Sequence, residues 1–214
     1  MTFFELLDYR RRVAALYAGA RDAAGSAEER CRRFRDGKDR LFREHSASPL
    51  DARRRGAFPG LAYAPYHPRW RVVARVDPDV EDATIEIDAG EDGIMTLRRA
   101  GLLHFELDGR PLRLTAFWLA GYGGGLFVPF RDRTSGVSSY GGGRYLIDTV
   151  KHADLGSEGG GLVLDFNYAY APSCAHHTRW VCPLAPPENA LDVEVDAGEM
   201  VGGEMVGREA TGGA

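Results

Sequence analysis

Cysteine is scarce in this chain, and long apolar runs are absent. Only three cysteines occur among 214 residues, at positions 31, 174 and 182. No apolar run reaches the roughly 18 residues that a membrane-spanning helix needs. The first residues, MTFFELLDYRRRV, place apolar side chains before the arginines, which is the reverse of a secretory signal peptide. We therefore expect a cytoplasmic protein that does not bind membranes and whose thiols are mainly reduced.

The signatures of two large enzyme classes are missing as well. The G-x-S-x-G sequence of serine hydrolases does not occur. The glycine run 141–143 is followed by Arg144 and not by the Gly-Lys-Ser/Thr of a phosphate-binding P-loop. The sequence motifs therefore do not name a reaction.

The hydrophobic fraction of 44% is ordinary for a folded domain, but the charge is unevenly distributed. Residues 1–75 contain 17 Lys/Arg against 9 Asp/Glu, a net charge of +8, which leaves −12 for the remainder of a chain whose total is −4. The arginines of the basic region are interspersed with acids at helical spacing, which is typical of a solvated helix face. We therefore do not expect nucleic-acid binding.

The apolar pattern changes near residue 70. Before it, apolar residues recur every three or four positions, and Ser26 with Glu29 matches a capping box at the start of a second helix. After Trp70, short alternating runs separated by Gly, Pro and Asp indicate strands. We expect a mainly β fold, an antiparallel barrel or sandwich with two N-terminal α-helices packed against it. The chain should divide into an N-terminal helical segment (residues 1–47), a β domain (residues 48–200) and a flexible tail (residues 201–214).

Eight runs carry the strand pattern, and Asp108-Gly109 between two of them is typical of a tight hairpin turn. The runs are WRVVARV, ATIEIDA, GIMTLRRAG, LLHFEL, PLRLTAFWL, GLFVPF, GLVLDF and ALDVEVDAG. Strand–helix–strand alternation does not occur, so we do not expect a parallel sheet.

Residues 165–189, DFNYAYAPSCAHHTRWVCPLAPPEN, fit a zinc site, a disulfide-closed loop or a proline-stiffened loop. Seven residues separate Cys174 from Cys182, which is not the spacing of structural zinc ligands. The adjacent His176 and His177 point to opposite sides of an extended chain. A cytoplasmic location disfavours a disulfide. We predict that the loop binds no metal and that buried thiols and prolines order it, and that Cys31 is a small core residue.

The segment FRDRTSGVSSYGGGRYL, residues 130–146, is a second place where chemistry could occur. Its glycines allow backbone N–H groups to face a ligand, and the planar guanidinium of Arg144 suits a carboxylate or a phosphate. The alternative is an internal salt bridge of Arg144, with Asp165 or Glu188 as the candidate partner. Both interpretations stay open at this stage.

Three segments together resemble a bacterial and archaeal family called domain of unknown function 1684. They are SPLDARRRGAFPGLAYAPY, FVPFRDRTSGVSSYGGGRYL and LDFNYAYAPSCAHHTRWVCPLAPPENALDVEVDAGE. The family pattern F-x-D-x-T-x-G-x-x-x-Y-G-x-G-R-Y is met from Phe130 to Tyr145, and D-F-N-x-A-Y-x-P-x-C-A begins at Asp165. Where the family has an aromatic and a small polar residue after Cys-Ala, this chain has His176 and His177. The resemblance implies no reaction, but its polar residues are the ones to examine.

We therefore expect a small-molecule-binding domain that holds an anionic ligand group at Arg144 and needs no cofactor. The candidate ligand-binding residues are Tyr140, Arg144, Tyr145, Asp165, Asn167, Tyr170, Glu188 and Asn189. One alternative is a hydrolase or lyase that uses Asp165 or Glu188 as general base. The other is a structural or interaction domain without a pocket. The sequence does not predict an oligomeric state.

Overall fold

Helices α1 (Phe3–Arg21) and α2 (Ala27–Glu44) form the N-terminal layer of the computed structural model, which describes residues 2–22, 24–90 and 93–202. Both helices begin with a capping box. In α2, Ser26 Oγ accepts from the backbone N–H of Glu29 at 3.1 Å, and the Glu29 carboxylate accepts from the Ser26 N–H at 2.8 Å. The start predicted for the second helix is thereby confirmed.

A third helix, α3 (Ala52–Gly56), is not predicted by the sequence pattern. It is five residues long and is preceded by the N-cap Asp51, whose side chain accepts from the Arg54 N–H at 2.8 Å. A helix this short has no apolar periodicity to detect, so its cap is its main sequence signal. Within the described residues, no helix combines the length and the apolar character needed to span a bilayer.

Eight strands of the described residues pair antiparallel into one sheet. They are β1 (Arg71–Asp77), β2 (Thr84–Asp88), β3 (Ile94–Leu107), β4 (Arg110–Leu119), β5 (Gly125–Phe130), β6 (Arg144–Asp148), β7 (Ser157–Glu158) and β8 (Gly161–Asp165). Their order is β6-β5-β4-β3-β1-β8-β7, with β2 paired to β3. The sheet curves into a half-barrel, and the two long helices pack against it, which confirms the predicted fold class.

The predicted strands GIMTLRRAG and LLHFEL are one continuous strand, β3, with a register shift between Arg99 and Gly101. Gly101 permits this irregularity because a Cβ there would lie 2.9 Å from the carbonyl oxygen of Asp77. The predicted hairpin turn after β3 is confirmed. Asp108 and Gly109 both have positive φ, 49° and 75°, as a tight antiparallel hairpin requires.

Two predictions about the sheet are wrong. ALDVEVDAG is not a strand, although its apolar residues Leu191 and Val195 do point inward as the alternation indicates. Its later backbone groups bind to side chains instead of a neighbouring strand, since the Val195 N–H donates to Asp132 at 2.8 Å and its carbonyl accepts from Arg144 at 2.9 Å. The second error is an omission. β6 is not among the predicted strands, because the glycine run 141–143 that precedes it obscures its strand pattern.

Two apolar clusters form the core of the half-barrel and the contact between the helices and the sheet. The larger fills the half-barrel, with Leu103, Leu114, Phe130, Leu164 and Phe166 all fully buried. The second joins the layers: the Phe34 ring of α2 packs edge-on between the rings of Tyr17 and Tyr168, at 4.8 and 4.9 Å. Cys31 lies in this second cluster with 1% exposure. The segment boundaries at 47 and 200 stay a prediction, and residues 203–214 of the expected tail lie outside the described residues.

Candidate functional site

Arg144, the first residue of β6, is wholly enclosed, with a side-chain exposure of 0%. One Nη atom bonds to the Asp132 carboxylate at 3.1 Å and to the Val195 carbonyl at 2.9 Å. The other donates to the carbonyl oxygens of Ala197 and Glu199. Burial lowers the pKa of the guanidinium, and the charge of Asp132 opposes that shift. Arg144 therefore bonds the segment 195–199 to the sheet. We call a buried side chain that hydrogen-bonds to a distant segment in this way a fastening. An anionic ligand would compete with the contacts of Arg144.

Asn189 and Glu188 form a second fastening. Asn189 is fully buried, and its side-chain amide exchanges hydrogen bonds with the N–H and carbonyl of Thr115 at 2.8 and 2.9 Å. The same amide donates to the Pro129 carbonyl at 2.7 Å, so it links β4 to β5. Glu188 forms an ion pair with Arg99 at 3.1 Å and accepts from the Thr115 hydroxyl at 2.7 Å.

Asn167 and Asp165 form a third fastening, at the end of β8. The Asn167 side chain accepts from the His67 N–H at 3.1 Å and donates to the His67 carbonyl at 3.0 Å. It also donates to the Asp165 carboxylate at 2.8 Å. Burial raises the pKa of Asp165, which is 6% exposed, while the hydrogen bonds from Asn167 oppose that shift.

The three predicted tyrosines lie near the proline-rich loop. The Tyr145 hydroxyl donates to the Pro183 carbonyl at 2.6 Å, and its ring meets that of Tyr170 edge-on at 5.5 Å. Burial raises the pKa of both phenols. The Tyr140 hydroxyl lies 3.7 Å from Cys174 Sγ. The structure therefore places the eight predicted residues in several small groups.

A surface pocket of 380 Å³ lies elsewhere, near the turn between β3 and β4. It is lined by Trp70, Leu107, Asp108, Arg110, Arg133, Asp192, Val193 and Glu194. None of the eight predicted residues lines this pocket. Its wall mixes three acids with two arginines, so it favours no single ligand charge.

Sequence reasoning missed a buried ion pair between the two layers. Lys38 of α2 bonds to Glu199, which is 1% exposed and whose other oxygen accepts from the Ala171 N–H at 2.9 Å. The Lys38 ammonium also lies over the rings of Tyr170, at 4.4 Å, and Phe42, at 5.6 Å. The carboxylate and the two aromatic faces replace part of the water that would otherwise surround the ammonium.

The ion pair and three residues near it are together called the interlayer cluster: Lys38, Tyr63, Tyr170, His176 and Glu199. The pKa of the Tyr63 phenol is raised first by burial and then by the charge of Glu199. Burial, and secondarily Glu199, also raises the pKa of two tyrosines of α1, Tyr9 and Tyr17. The charge of the Glu199 carboxylate therefore acts on several buried polar groups between the layers.

Two members of the interlayer cluster have unsatisfied polar atoms. Among the described residues, neither ring nitrogen of His176 has a hydrogen-bond partner, and neither does the Tyr63 hydroxyl. The His176 ring is 1% exposed and meets Phe42 edge-on at 5.1 Å. Burial lowers the pKa of His176 to about 4, against the opposing charge of Glu199. Buried polar atoms without partners are rare in folded proteins, so each calls for a physical explanation.

One weak sequence signal does point to this cluster. Lys38 is one of only two lysines in a chain with 27 Lys/Arg, so a lysine here is a departure from the arginine used elsewhere. The contact itself joins residues 161 positions apart. No local motif could have revealed the pairing of Lys38 with Glu199.

The loop between the two cysteines is ordered by packing. Cys174 is buried and Cys182 partly buried beside Tyr140 and Trp180, and all three cysteines are thiols. Within residues 2–22, 24–90 and 93–202, no three His, Cys, Asp or Glu side chains are grouped as a metal site would need. That the loop binds no metal stays a prediction.

Fold and contacts define an antiparallel half-barrel domain with a helical cover, in which Arg144, Asn167 and Asn189 supply internal fastenings. The chain belongs to the family described as "Protein of unknown function (DUF1684)", whose model matches residues 56–200. It is similar to the solution NMR structure of the uncharacterized protein from gene locus rrnAC0354 of Haloarcula marismortui. The two are 39% identical with a TM-score of 0.59, over 81% of this chain and 94% of that one. No similar protein was found among curated proteins.

The matched range contains four of the five interlayer residues, Tyr63, Tyr170, His176 and Glu199. Lys38 lies outside it, on α2. The helical layer therefore supplies the positive charge of the cluster, and the family domain supplies the remainder.

Proposed function

We propose that this domain binds a small polar ligand at the interlayer cluster, between the helices and the half-barrel. The observation that carries this proposal is the buried His176 ring with two nitrogens that have no partner among the described residues. Because its pKa is about 4, the ring is neutral at pH 7 and offers one N–H donor and one acceptor. A ligand with one matching acceptor and one matching donor satisfies both.

Lys38 gives the proposed site a preference for ligands with an acidic group. An ammonium has three N–H donors, and among the described residues Glu199 takes one of them. An acidic group can therefore bind Lys38 without breaking the ion pair. The Lys38 side chain is 13% exposed, which supports access along α2. Arg144 contributes indirectly, because it holds the backbone of Glu199 in place.

Thermal unfolding of the full chain with a panel of small ligands tests this proposal. The panel contains acetate, succinate, inorganic phosphate, adenosine monophosphate and nicotinamide, each at millimolar concentration. A ligand at 100 times its Kd stabilises the folded state by about 2.7 kcal/mol. For a domain of this size that corresponds to a rise in Tm of roughly 5–10 °C.

Matched variants locate the binding. We expect His176→Leu and Tyr63→Phe to remove the ligand-induced rise in Tm, because each deletes a polar group that the ligand would bind. His177→Leu and Tyr66→Phe are the controls and should keep the rise. If the first pair of variants keeps it too, the ligand binds elsewhere. If no compound in the panel raises Tm, the structural-domain alternative is favoured.

A second candidate function is hydrolysis or elimination with Asp165 as general base. It is supported by the raised pKa of this buried carboxyl group, which is a common property of catalytic acids and bases. Glu188 supports it less, since the ion pair with Arg99 occupies that carboxylate. An ester and lyase substrate screen tests this candidate. An activity that survives Asp165→Asn would exclude Asp165 as the base.

We also propose a cytoplasmic location. It is supported by the thiol form of Cys31, Cys174 and Cys182, because unpaired thiols are typical of reducing compartments. Localisation of a tagged full-length chain in its host tests the proposal.

A further inference from the structure

The two cysteines of the proline-rich loop lie in contact. Cys174 occupies a short 3-10 turn, Ser173–Ala175, and Cys182 packs against the buried cluster that contains it, close enough to interact with its thiol. The backbone N–H groups of Cys174 and Ser173 lie near the Cys182 sulfur and help to lower the pKa of its thiol. Tyr140 contacts the other side of Cys174, with its hydroxyl 3.7 Å from Sγ. The loop therefore holds two sulfurs side by side, one of them surrounded by donors.

We propose that Cys174 and Cys182 are a reactive thiol pair that a hydroperoxide converts into an intramolecular disulfide. The contact between the two thiols carries this inference, because disulfide formation needs Cβ atoms only about 3.5–4.5 Å apart. The two side chains already pack in one cluster across a loop of seven residues, which favours closing the bond.

Their surroundings assign different roles to the two thiols. The hydrogen bond from the Cys174 thiol is the main cause that lowers the pKa of Cys182, and the positive charge of Lys151 adds to it. Cys182 is partly exposed, whereas Cys174 is buried. A partly exposed sulfur with a low pKa is the attacking nucleophile in thiol chemistry. Cys182 is therefore the residue that reacts first, and Cys174 the one that closes the disulfide.

Cys31, the third cysteine, is an internal control for the reactivity of Cys174 and Cys182. Cys31 is 1% exposed, and burial raises its pKa to about 11. It donates weakly to the Asn167 carbonyl, with Sγ and O 3.8 Å apart. A thiol that is both enclosed and neutral reacts slowly with electrophiles. Selective oxidation of the pair in the presence of Cys31 therefore distinguishes a reactive site from general thiol oxidation.

The reaction balances with one hydroperoxide as the oxidant. The Cys182 thiolate attacks the terminal peroxide oxygen, the O–O bond breaks, and the alcohol leaves with a proton from solvent, which produces a sulfenic acid. Cys174 then loses its proton and attacks the sulfenic sulfur. The S–O bond breaks and the oxygen leaves as water. Two thiols and one hydroperoxide give one disulfide, one alcohol and one water, with two electrons passing from sulfur to oxygen.

The bond would form in a loop that is tied to the helical side of the molecule. Between the two cysteines, the indole N–H of Trp180 donates to the Pro49 carbonyl at 3.1 Å, and Arg179 donates to the Ser48 carbonyl at 3.1 Å. His176 of the interlayer cluster also lies between them. Trp180 therefore provides a fluorescence signal that reports the oxidation of its own loop.

Hydrogen peroxide titration of the reduced full chain, followed by peptide mass mapping, tests this inference. We expect a cross-linked peptide joining Cys174 to Cys182, a loss of two hydrogen atoms in intact mass, and full reversal by dithiothreitol. Cys31 should stay a thiol that iodoacetamide modifies only after unfolding. In Cys174→Ser, Cys182 should stop at a sulfenic acid that dimedone traps, while Cys31→Ser should behave as the original chain does.

Four results with the original chain would overturn the inference. The first is that both thiols stay unreacted at a peroxide concentration that fully oxidises glutathione, and the second is a sulfinic acid at Cys182 beside an unreacted Cys174. The others are disulfides that join separate chains, and oxidation of Cys31 at the same rate as Cys174 and Cys182. None of these outcomes depends on whether the interlayer cluster binds a ligand.

Discussion

The fastenings of the half-barrel and the interlayer cluster treat buried polar groups in opposite ways. Arg144, Asn167 and Asn189 are buried, and each bonds to backbone or carboxylate groups of a distant segment. Among the side-chain nitrogens and oxygens of these three residues, only Arg144 Nε has no partner in the described part of the chain. His176 and Tyr63 are buried too, yet His176 has no partner for its ring nitrogens and Tyr63 none for its hydroxyl among the described residues. Satisfied buried groups stabilise a fold, whereas unsatisfied ones cost free energy that a packed protein normally avoids.

This difference separates residues that bond distant segments together from residues whose polar atoms have no partner in the described part of the chain. The segments that resemble the family contain Arg144, Asn167 and Asn189, and they also contain four residues of the interlayer cluster. Tyr63 pairs through its backbone with Glu199, and the His176 ring meets the Phe42 ring over which the Lys38 ammonium lies, so both are near the Lys38–Glu199 pair. Removing a single polar group should therefore cost more stability in the fastenings than in the interlayer cluster.

The largest effect is expected at Arg144. Arg144→Met leaves the Asp132 carboxylate buried without its counter-ion, and removing one partner of a buried ion pair costs about 3–5 kcal/mol of unfolding free energy. Urea denaturation measures this loss. Arg133→Met is the matched control. Arg133 forms an ion pair with Asp192, and the two side chains are 62% and 86% exposed. The substitution should therefore change the unfolding free energy by less than about 1 kcal/mol. Equal costs in the two variants would show that Arg144 is not a fastening.

The second prediction concerns acid stability through His176. Its pKa is about 6.5 in the unfolded chain and about 4 when folded. The folded state therefore binds fewer protons, so stability is full above pH 6.5 and falls as pH decreases towards 4. Because proton binding is linked to unfolding, the unfolding free energy should fall by about 3 kcal/mol between pH 7 and pH 4.

Other groups titrate in the same range, so the measurement is a difference between two proteins. Urea unfolding of the original chain and of His176→Leu at a series of pH values isolates the histidine. We expect the stability gap between them to widen as pH falls. A gap that is constant from pH 7 to pH 4 would mean that the ring is hydrated or paired.

The third prediction is a gain of stability at pH 7. His176→Leu replaces a buried ring, whose two nitrogens have no partner among the described residues, by an apolar side chain, which should stabilise the fold by about 1–3 kcal/mol. Its neighbour His177 has a 30% exposed side chain, so His177→Leu should stay within about 0.5 kcal/mol. Thermal and urea unfolding measure both variants. A destabilised His176→Leu would place this ring among the fastenings.

Much of the fold follows from local pattern, whereas the site depends on contacts between distant residues. Alternation identifies most strands because one face of each is buried, and Ser26 with Glu29 identifies the start of α2. The pattern from Leu191 to Val195 correctly indicates which side chains point inward, but it cannot show that Asp132 and Arg144 replace a neighbouring strand. A side chain that bonds to backbone is invisible to periodicity.

The same limit applies to the candidate site. The sequence singles out Arg144, but the partner found is Asp132, only 12 positions away, and not Asp165 or Glu188. The Lys38–Glu199 pair spans 161 positions and has no motif. His176 stands out in the sequence only as a departure from the family pattern, because burial without a partner is a property of the folded chain alone.

The smallest prediction applies the same chemical change to both regions. Tyr145→Phe removes a hydroxyl that donates to the Pro183 carbonyl at 2.6 Å and leaves that carbonyl unpaired, at a cost of about 1–2 kcal/mol. Tyr63→Phe removes a hydroxyl that has no partner among the described residues, so it should be neutral or stabilise by up to about 1 kcal/mol. Urea unfolding of the two variants in one buffer measures the difference in sign. A loss of stability in Tyr63→Phe similar to that in Tyr145→Phe would mean that the Tyr63 hydroxyl is satisfied in solution, by water or by ligand. Repeating the comparison after exhaustive dialysis separates these two cases, because a retained water survives dialysis and a small ligand does not.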